Sequence, residues 1–335
     1  MTSKPMIEAR ALSKTFRVAE KQPGLRASVR HLLKRRYRAV EAVREVSFVI
    51  EEGEMVGFLG PNGAGKTTTL KMLSGLIHPT GGSLSVAGYQ PERRQRLFLE
   101  QITLVMGNKQ QLIWDLPPLD SIRVNAAVYG IDPIDAKRRV GELAEMLELG
   151  EELHRPVRKL SLGQRMKAEL LASLLHRPRV LFLDEPTLGL DVNAQARVRD
   201  FLAEYNRRFG ATVLLTSHYM GDITALCERV LLIHQGELFH DGDLEALTNK
   251  LAPFRQVRLE LQRAFPIEAF EPYGAVESHQ EHQVLLLINR ACLTETVAEL
   301  LTRFPVVDLE VNDPPIEELM RSLFSSAASS RGQER

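Results

Sequence analysis

Eight residues between a predicted strand and a predicted helix most constrain the fold of this chain. They cover positions 60–67 and read Gly-Pro-Asn-Gly-Ala-Gly-Lys-Thr, a full match to the pattern Gly-x-x-x-x-Gly-Lys-Ser/Thr. The apolar run Met55–Leu59 predicts a buried strand before them, and Thr67–Ile77 predicts a helix after them. Glycines in such a turn let backbone N–H groups point at phosphate oxygens, and the helix N-terminus adds positive potential. The motif therefore predicts a phosphate-binding loop in an α/β fold.

Two side chains of this motif add chemistry to the backbone. Lys66 would reach the β- and γ-phosphates of ATP, and the Thr67 hydroxyl would ligate Mg²⁺. The residues expected to contact the nucleotide here are Gly60, Pro61, Asn62, Gly63, Ala64, Gly65, Lys66, Thr67 and Thr68. The alternative is a glycine-rich turn without function, which the two flanking elements disfavour.

A second buried strand ends in two acidic residues. Val180–Leu183 is a continuous apolar run, and Asp184 and Glu185 follow it directly. An aspartate at that place would hold the Mg²⁺ shell, and the glutamate would act as general base toward the attacking water. Because strand ends often carry acids, this pair is informative only together with the phosphate loop.

A third motif, Leu160–Arg165, opens a predicted helix at Leu162–His176. Its Ser161 hydroxyl, the bare Gly163 N–H and the helix N-terminus together can bind an anion, with Gln164 beside them. Since Lys66 already serves the phosphates of its own chain, this second site is expected to close over the nucleotide of another chain. The alternative is an ordinary serine N-cap.

In order and spacing, these motifs resemble those of the ABC ATPases. Residues 60–67 resemble the Walker A motif, residues 160–164 the signature motif and residues 180–185 the Walker B motif. Leu188–Asp191 resembles the D-loop, and Thr216–His218 resembles the segment that carries the switch histidine. The resemblance covers residues 6 to about 245.

The resemblance implies a RecA-like core, a small antiparallel β subdomain and a helical subdomain at about 108–176 that carries the signature. It also implies a head-to-tail dimer with two ATP molecules at its interface. His218 would contact the γ-phosphate, and Asp191 would couple the two sites. Phe16 occupies the place where the family stacks an aromatic ring on adenine, although a core phenylalanine is the alternative.

Two positions depart from the family pattern. Leu162 stands where glycine is the commonest signature residue, but Ser161 and Gly163 keep the phosphate-facing features. The family's Q-loop glutamine, whose amide oxygen reaches the Mg²⁺ shell, has no direct counterpart. Either Asn108 or Gln110 would fill that role, and we favour Asn108 because it preserves the register with Leu112.

The sequence predicts two domains and a tail: a nucleotide-binding domain at 1–248, a small α+β domain at 249–325 and a disordered tail at 326–335. Within the small domain we expect strands at Val257–Leu261, Val284–Ile288 and Val306–Val311, and helices at Leu293–Arg303 and Pro315–Phe324.

A basic insertion is expected at about 17–40. Residues 21–40 hold seven basic residues and no acidic one, with apolar residues at helical spacing. A solvated helix face, a nucleic-acid patch and a membrane-proximal helix that packs on a permease are the three interpretations. Since Tyr37 is the one aromatic residue there, nucleic acid is not expected as a partner, and we favour the membrane-proximal helix.

Composition and the lack of apolar segments limit where the protein works. The net charge is zero, and the two cysteines lie far apart without metal-ligand spacing, which fits a reducing compartment. No signal peptide and no run of about 20 apolar residues occur, so we expect separate permease chains to hold the protein at the cytoplasmic face of the membrane.

Features around the motifs are similar to bacterial multidrug-type exporter ATPases with separate permease chains. These features are the Trp114–Pro117 segment, the basic insertion and the short C-terminal domain. An importer ATPase is the alternative, although sugar importers usually carry a longer β-rich C-terminal domain. A non-transport ABC ATPase is a further alternative, disfavoured because the chain has one Walker A motif and a compact spacing to the signature.

Overall fold

The computed structural model describes residues 5–19, 37–107, 111–217, 219–251 and 253–312. The contacts divide the chain into two compact units, one ending at Asp243 and the other beginning at Leu244. The predicted domain boundary at residue 248 thus falls inside the helix Leu244–Leu251, which belongs to the second unit.

The first unit alternates strands and helices. Its strands are β1 Pro5–Ala19, β2 Tyr37–Glu51, β3 Met55–Leu59, β4 Gly81–Val86, β5 Ile102–Met106, β6 Val180–Asp184, β7 Thr212–Thr216, β8 Arg229–His234 and β9 Glu237–Asp243. Its helices are α1 Lys66–Leu73, α2 Arg96–Leu99, α3 Pro118–Val128, α4 Pro133–Met146, α5 Leu162–Leu174, α6 Val192–Phe209 and α7 Met220–Leu226.

Six strands form the central sheet in the order β5-β6-β7-β3-β8-β9. All neighbours run parallel except β8 and β9, which pair antiparallel. β3 and β6, which the apolar runs predict, are among the most buried strands together with β7, because helices cover both faces of a parallel sheet. The carboxyl ends of β3, β6 and β7 lie at one edge, so the motifs that follow these strands meet there.

A three-stranded antiparallel sheet, β2-β1-β4, accompanies the central sheet. Its inward side chains share one apolar cluster with α1 and the central strands, including Ile7, Ile50, Phe58 and Leu70. β1 and β2 remain paired out to Ala19 and Tyr37, so residues 17–19 and 37–40 of the predicted insertion are strand. The predicted basic helix falls in 20–36, outside the described residues.

Three helices between β5 and β6 form the predicted helical subdomain. Asp132 caps α4 through a bond from the Ile134 N–H, and Ser161 caps α5 with a capping box. The helix predicted at Leu162–His176 appears as α5, which ends two residues earlier than the apolar pattern.

The second unit begins with α8, Leu244–Leu251, and contains a four-stranded antiparallel sheet. Its other elements are β10 Phe254–Leu261, β11 Ala275–Gln280, β12 Gln283–Asn289, α9 Leu293–Arg303 and β13 Val306–Asn312. The sheet order is β11-β12-β10-β13, and its buried face packs Leu259, Leu286 and Ile288 against Leu300 and Phe304. The predicted strands and the helix at Leu293–Arg303 are confirmed, whereas Pro315–Phe324 and the tail lie outside the described residues.

No helix in the described part of the chain combines the length and apolar character that crossing a bilayer requires.

Candidate functional site: a phosphate loop beside an acidic strand end

The loop between β3 and α1 is shaped by glycines that pass close to neighbouring backbone. Gly65 has φ +112 and caps α1, and a Cβ built on it would lie 2.5 Å from the Ala42 carbonyl oxygen. Gly60 has φ +153, and its Cβ would lie 2.2 Å from the Ile233 carbonyl oxygen. Since no other residue type fits either position, the loop is held between β2 and β8 with its amides gathered at the start of α1.

Lys66 is the first residue of α1, and its side chain curls back over the loop. Its Nζ donates to the carbonyl oxygens of Gly60 at 2.6 Å and Pro61 at 3.1 Å, and the residue is 7% exposed. Burial lowers the pKa of Lys66, while the nearby carboxylates of Glu185 and Asp184 act to raise it. A partly desolvated cation held at the mouth of an amide-lined loop is suited to bind phosphate.

Asp184 joins the loop to the central sheet. Its two carboxylate oxygens accept hydrogen bonds from the hydroxyls of Thr67 at 3.0 Å and Thr216 at 2.8 Å. One carboxylate and one threonine hydroxyl in contact are hard oxygen donors of the kind that Mg²⁺ prefers, with substrate phosphates and water completing the shell. The described residues contain no cluster of three or more His, Cys, Asp or Glu side chains placed to hold a metal.

Glu185 occupies a left-handed turn directly after β6. Its φ is +55, and its N–H lies 3.1 Å from both the carbonyl oxygen and the hydroxyl of Thr216. On the other side, the Gly107 N–H donates to the Asp184 carbonyl at 2.9 Å, and a Cβ on Gly107 would lie 2.3 Å from the Glu185 carbonyl oxygen. A non-glycine residue with positive φ is uncommon and persists where its surroundings fix it.

The N-terminus of α5 is exposed and self-capped. The Ser161 hydroxyl accepts from the Gln164 N–H at 3.2 Å, and the Gln164 side chain accepts from the Ser161 N–H at 3.0 Å. The ordinary N-cap that the sequence left as an alternative is thus present. Accepting that bond leaves the hydroxyl's own proton available to an external anion, so capping and anion binding are compatible.

The signature and the D-loop are neighbours within this chain. A Cβ on Gly163 would lie 2.8 Å from the Ala194 Cβ, and one on Gly189 would lie 3.3 Å from Leu162 Cδ2. Asp191 caps α6 by accepting from the Ala194 N–H at 2.9 Å. Ser161, Leu162 and Asp191 therefore form one exposed surface.

Phe16 lies half-buried on β1, with the Lys14 ammonium 5.2 Å from its ring centroid. It pairs with Val40 on β2, two residues from Ala42, whose carbonyl abuts Gly65. The strand that pairs with Phe16 therefore also passes the backbone of the phosphate loop. Asn108, Gln110 and His218 lie outside the described residues, so their predicted roles stay predictions.

Thr216 and Gly107 were not assigned roles from the sequence, yet both shape the site. Thr216 contacts Asp184 and Glu185, and Gly107 contacts the backbone of both. The sequence alone carries no signal for them, because their contacts follow from the sheet order: β5, β6 and β7 are parallel neighbours, so the residues at their carboxyl ends meet.

Comparisons with known proteins agree with this geometry. The chain matches the family model described as ABC transporter over residues 43–188, and the model described as EvrA-like ABC transporter, C-terminal domain, over residues 253–312. It resembles the solved "Structure of ATP binding subunit of ABC transporter" with a TM-score of 0.60 and 26% identity, covering 73% of this chain and 92% of that one.

Three relatives carry functional names. The ABC transporter ATP-binding protein NatA of Bacillus subtilis (strain 168) is 34% identical over 63% of this chain and 85% of its own length. The linearmycin resistance ATP-binding protein LnrL of the same organism is 29% identical over 87% of this chain and 96% of its own length. The Nod factor export ATP-binding protein I of Burkholderia orbicola (strain AU 1054) is 36% identical over 64% of this chain and 70% of its own length.

Proposed function

This chain belongs to the ATP-binding proteins of ABC transporters, and we propose that it hydrolyses MgATP to drive export of a small molecule or lipid through separate permease chains. The observation that carries the proposal is the position of Asp184, which contacts Thr67 of the phosphate loop and lies next to Glu185 in the chain. Phosphate-binding, metal-binding and proton-accepting groups are thereby gathered at one sheet edge.

Each group has a separate task in hydrolysis. Lys66 and the backbone N–H groups of residues 62–65 bind the phosphates, and Thr67 and Asp184 would hold Mg²⁺, which neutralises phosphate charge when bound. The Glu185 carboxylate orients the attacking water and accepts its proton. The carboxylate is kept in place by the fixed turn around Thr216 and Gly107.

The active form we propose is a head-to-tail dimer of two copies or of this chain with a related subunit. Ser161 is exposed at the N-terminus of α5, where an anion from a partner's site can approach, and Gly163 is buried behind it against Ala194. Asp191 is exposed on the same surface and would reach across the interface. Closure over two ATP molecules, with His218 on the γ-phosphate, would be the step that moves the permease.

Export is favoured over import by the named relatives and by the C-terminal unit. LnrL is named for linearmycin resistance and the Burkholderia relative for Nod factor export, and LnrL aligns along 87% of this chain. The C-terminal match spans residues 253–312, shorter than the β-rich domain of sugar importers. An importer ATPase remains the second candidate. In both candidates, a permease would hold the protein at the cytoplasmic face of the membrane.

The catalytic part of this proposal is tested by phosphate release from purified protein. Lys66→Ala is expected to abolish MgATP hydrolysis because it removes the cation from the phosphate loop. Lys71→Ala, on the same helix but five residues further on, is the matched control and is expected to hydrolyse MgATP like the wild type. Equal turnover of the Lys66→Ala variant and the wild type would contradict the assigned site.

The direction of transport is tested in liposomes that hold the cassette and its permease with the cassettes facing outward. External MgATP should then drive a transported lipophilic compound from the medium into the lumen, which corresponds to export. Transport that runs out of the lumen and needs a solute-binding protein there would support the importer instead.

A further inference from the structure

A second carboxylate, Asp222, lies buried beside the Walker B turn and belongs to none of the family motifs. It is the third residue of α7 and is fully buried, at 0% exposure. Its Oδ2 accepts hydrogen bonds from the hydroxyls of Thr187 and, at 2.7 Å, Ser217. Its Oδ1 accepts from the Arg199 guanidinium at 3.2 Å.

These three donors come from the segments on which hydrolysis depends. Thr187 lies two residues after Glu185, and the Leu188 N–H closes the intervening turn onto the Glu185 carbonyl at 3.2 Å. Ser217 directly precedes His218 in the chain. Arg199 projects from α6, the helix that Asp191 caps. Asp222 is therefore one point to which the Walker B turn, the segment before the switch histidine and the D-loop helix are all tied.

The hydrogen bonds of Asp222 are all made only when the three segments stand in one relative arrangement. A buried carboxylate is costly unless its oxygens are hydrogen-bonded and its charge is paired. Arg199 supplies the opposite charge at Oδ1, and the two hydroxyls donate to Oδ2. The Tyr219 N–H also donates to the Ser217 hydroxyl at 3.0 Å, so the chain on both sides of residue 218 is fixed. Movement of either hydroxyl would leave the carboxylate partly unsatisfied.

We propose that Asp222 is a positioning residue for ATP hydrolysis: through Thr187 and Ser217 it holds the Glu185 turn and the segment before His218 in a fixed relation. This inference rests on the proposed function, because it assigns a task within the same hydrolytic site. In this role Asp222 acts through its hydrogen-bond partners and not on the reacting atoms. Its effect is on where the Glu185 turn stands relative to Ser217.

The test uses isosteric pairs in the full-length protein. Thr187→Val removes the hydroxyl, whereas Thr187→Ser keeps it; Ser217→Ala and Asp222→Asn probe the other two groups. Thr187→Val is expected to lower kcat by about tenfold to a hundredfold, the scale of a small misplacement of catalytic groups. KM for MgATP and nucleotide affinity should remain near those of the wild type. The melting temperature should fall in Thr187→Val, because the buried Asp222 carboxylate loses one hydrogen bond, so kcat is compared per folded molecule. Thr187→Ser should retain wild-type kcat.

Two outcomes would overturn the inference. If Thr187→Val and Thr187→Ser have the same kcat, the hydroxyl does not position the turn. If Thr187→Val and Ser217→Ala lower the melting temperature while kcat per folded molecule is unchanged, the cluster is structural only. Because the Thr187 pair needs no change at Asp222, the test holds even if Asp222→Asn does not fold. If the wild-type protein itself did not turn over MgATP, the proposed function would be wrong. If the wild type turned over MgATP and only the Thr187 and Ser217 results disagreed, the role of Asp222 alone would be wrong.

Discussion

At the scale of single residues, the site depends on side chains that each connect two segments. Asp184 connects the phosphate loop to β7 through Thr67 and Thr216, and Lys66 faces Asp184 and Glu185 from the loop. Removing such a side chain therefore breaks one contact and also changes how the two segments are placed relative to each other. This is why we expect large effects on turnover from variants that remove no atom touching ATP.

The residue that completes the metal shell after β5 can be identified by comparing two alanine variants. The chain is fixed on both sides of residues 108–110: the Gly107 N–H donates to Asp184 at 2.9 Å, and the Gln111 N–H donates to the Glu169 carboxylate at 3.0 Å. Asn108 follows Gly107 directly, so Asn108→Ala should impair MgATP hydrolysis and its Mg²⁺ dependence far more than Gln110→Ala. Steady-state rates over a Mg²⁺ titration measure this, and the reverse ranking would place the metal-reaching amide two residues later.

At the scale of elements, the capped helices of the helical subdomain offer a stability test away from the site. Gly141 lies inside α4, and a Cβ there would meet no heavy atom within 4 Å. Gly141→Ala should stabilise the fold by about 0.5–1 kcal/mol, because alanine loses less backbone entropy in a helix. Thermal unfolding should show a melting temperature higher by about 1–4 °C.

Gly130 provides the matched control for this change. It too has open space around a built Cβ, but its φ is +64, where an L side chain is strained. Gly130→Ala is expected to lower the melting temperature. If the two variants moved the melting temperature in the same direction, backbone conformation would not be the deciding factor.

The elements that could be predicted are those whose pattern is local. Met55–Leu59 forms a strand with the predicted bounds because a strand buried on both faces is a continuous apolar run between polar ends. β9 and β11 have mostly exposed or half-exposed side chains, so hydrophobic periodicity did not reveal them. β1 and β2 extend over 15 residues each because they pair with one another, which neither sequence shows alone.

The residues of the site follow the same rule, because only those with a local sequence pattern could be predicted. The phosphate loop and Asp184–Glu185 could be predicted because their residues are contiguous and their chemistry is specific. Thr216, Gly107 and the Asp222 cluster could not, because their contacts join residues far apart in sequence: Thr187 and Asp222 are 35 positions apart. Such contacts follow from strand order, which a single amino-acid sequence does not show.

At the scale of the whole molecule, the two units have separate cores and one cysteine each. Cys227 in the first unit is buried, and burial raises the pKa of its thiol to about 12. Cys292 in the second unit is exposed at the N-cap of α9. Since the thiolate is the reactive form, alkylation of native protein at neutral pH should modify Cys292 and leave Cys227 protected.

Mass spectrometry of the alkylated protein checks this, with Cys292→Ser as the control that leaves only Cys227 to react. In that variant, labelling should track unfolding of the first unit as denaturant is added. Equal labelling rates of the two thiols in native protein would contradict the packing of α7 against the central sheet.

The account's central claim is that two copies close over MgATP and that Glu185 then promotes hydrolysis. Glu185→Gln removes the general base but keeps the shape of the turn, so hydrolysis should slow by about 10²–10⁴-fold while ATP still binds. The closed dimer should then accumulate. Ser161→Glu combined with Glu185→Gln is the control, since a carboxylate at the signature should repel the partner's phosphates.

Gel filtration with light scattering, run with MgATP on the Glu185→Gln protein, is the most direct measurement. The account predicts a particle of twice the 37.7 kDa chain mass, which returns to the monomer when EDTA replaces Mg²⁺ or when Ser161→Glu is added. A Glu185→Gln protein that binds ATP, stays at 37.7 kDa with MgATP and turns over at the wild-type rate would contradict both the dimer and the role of Glu185.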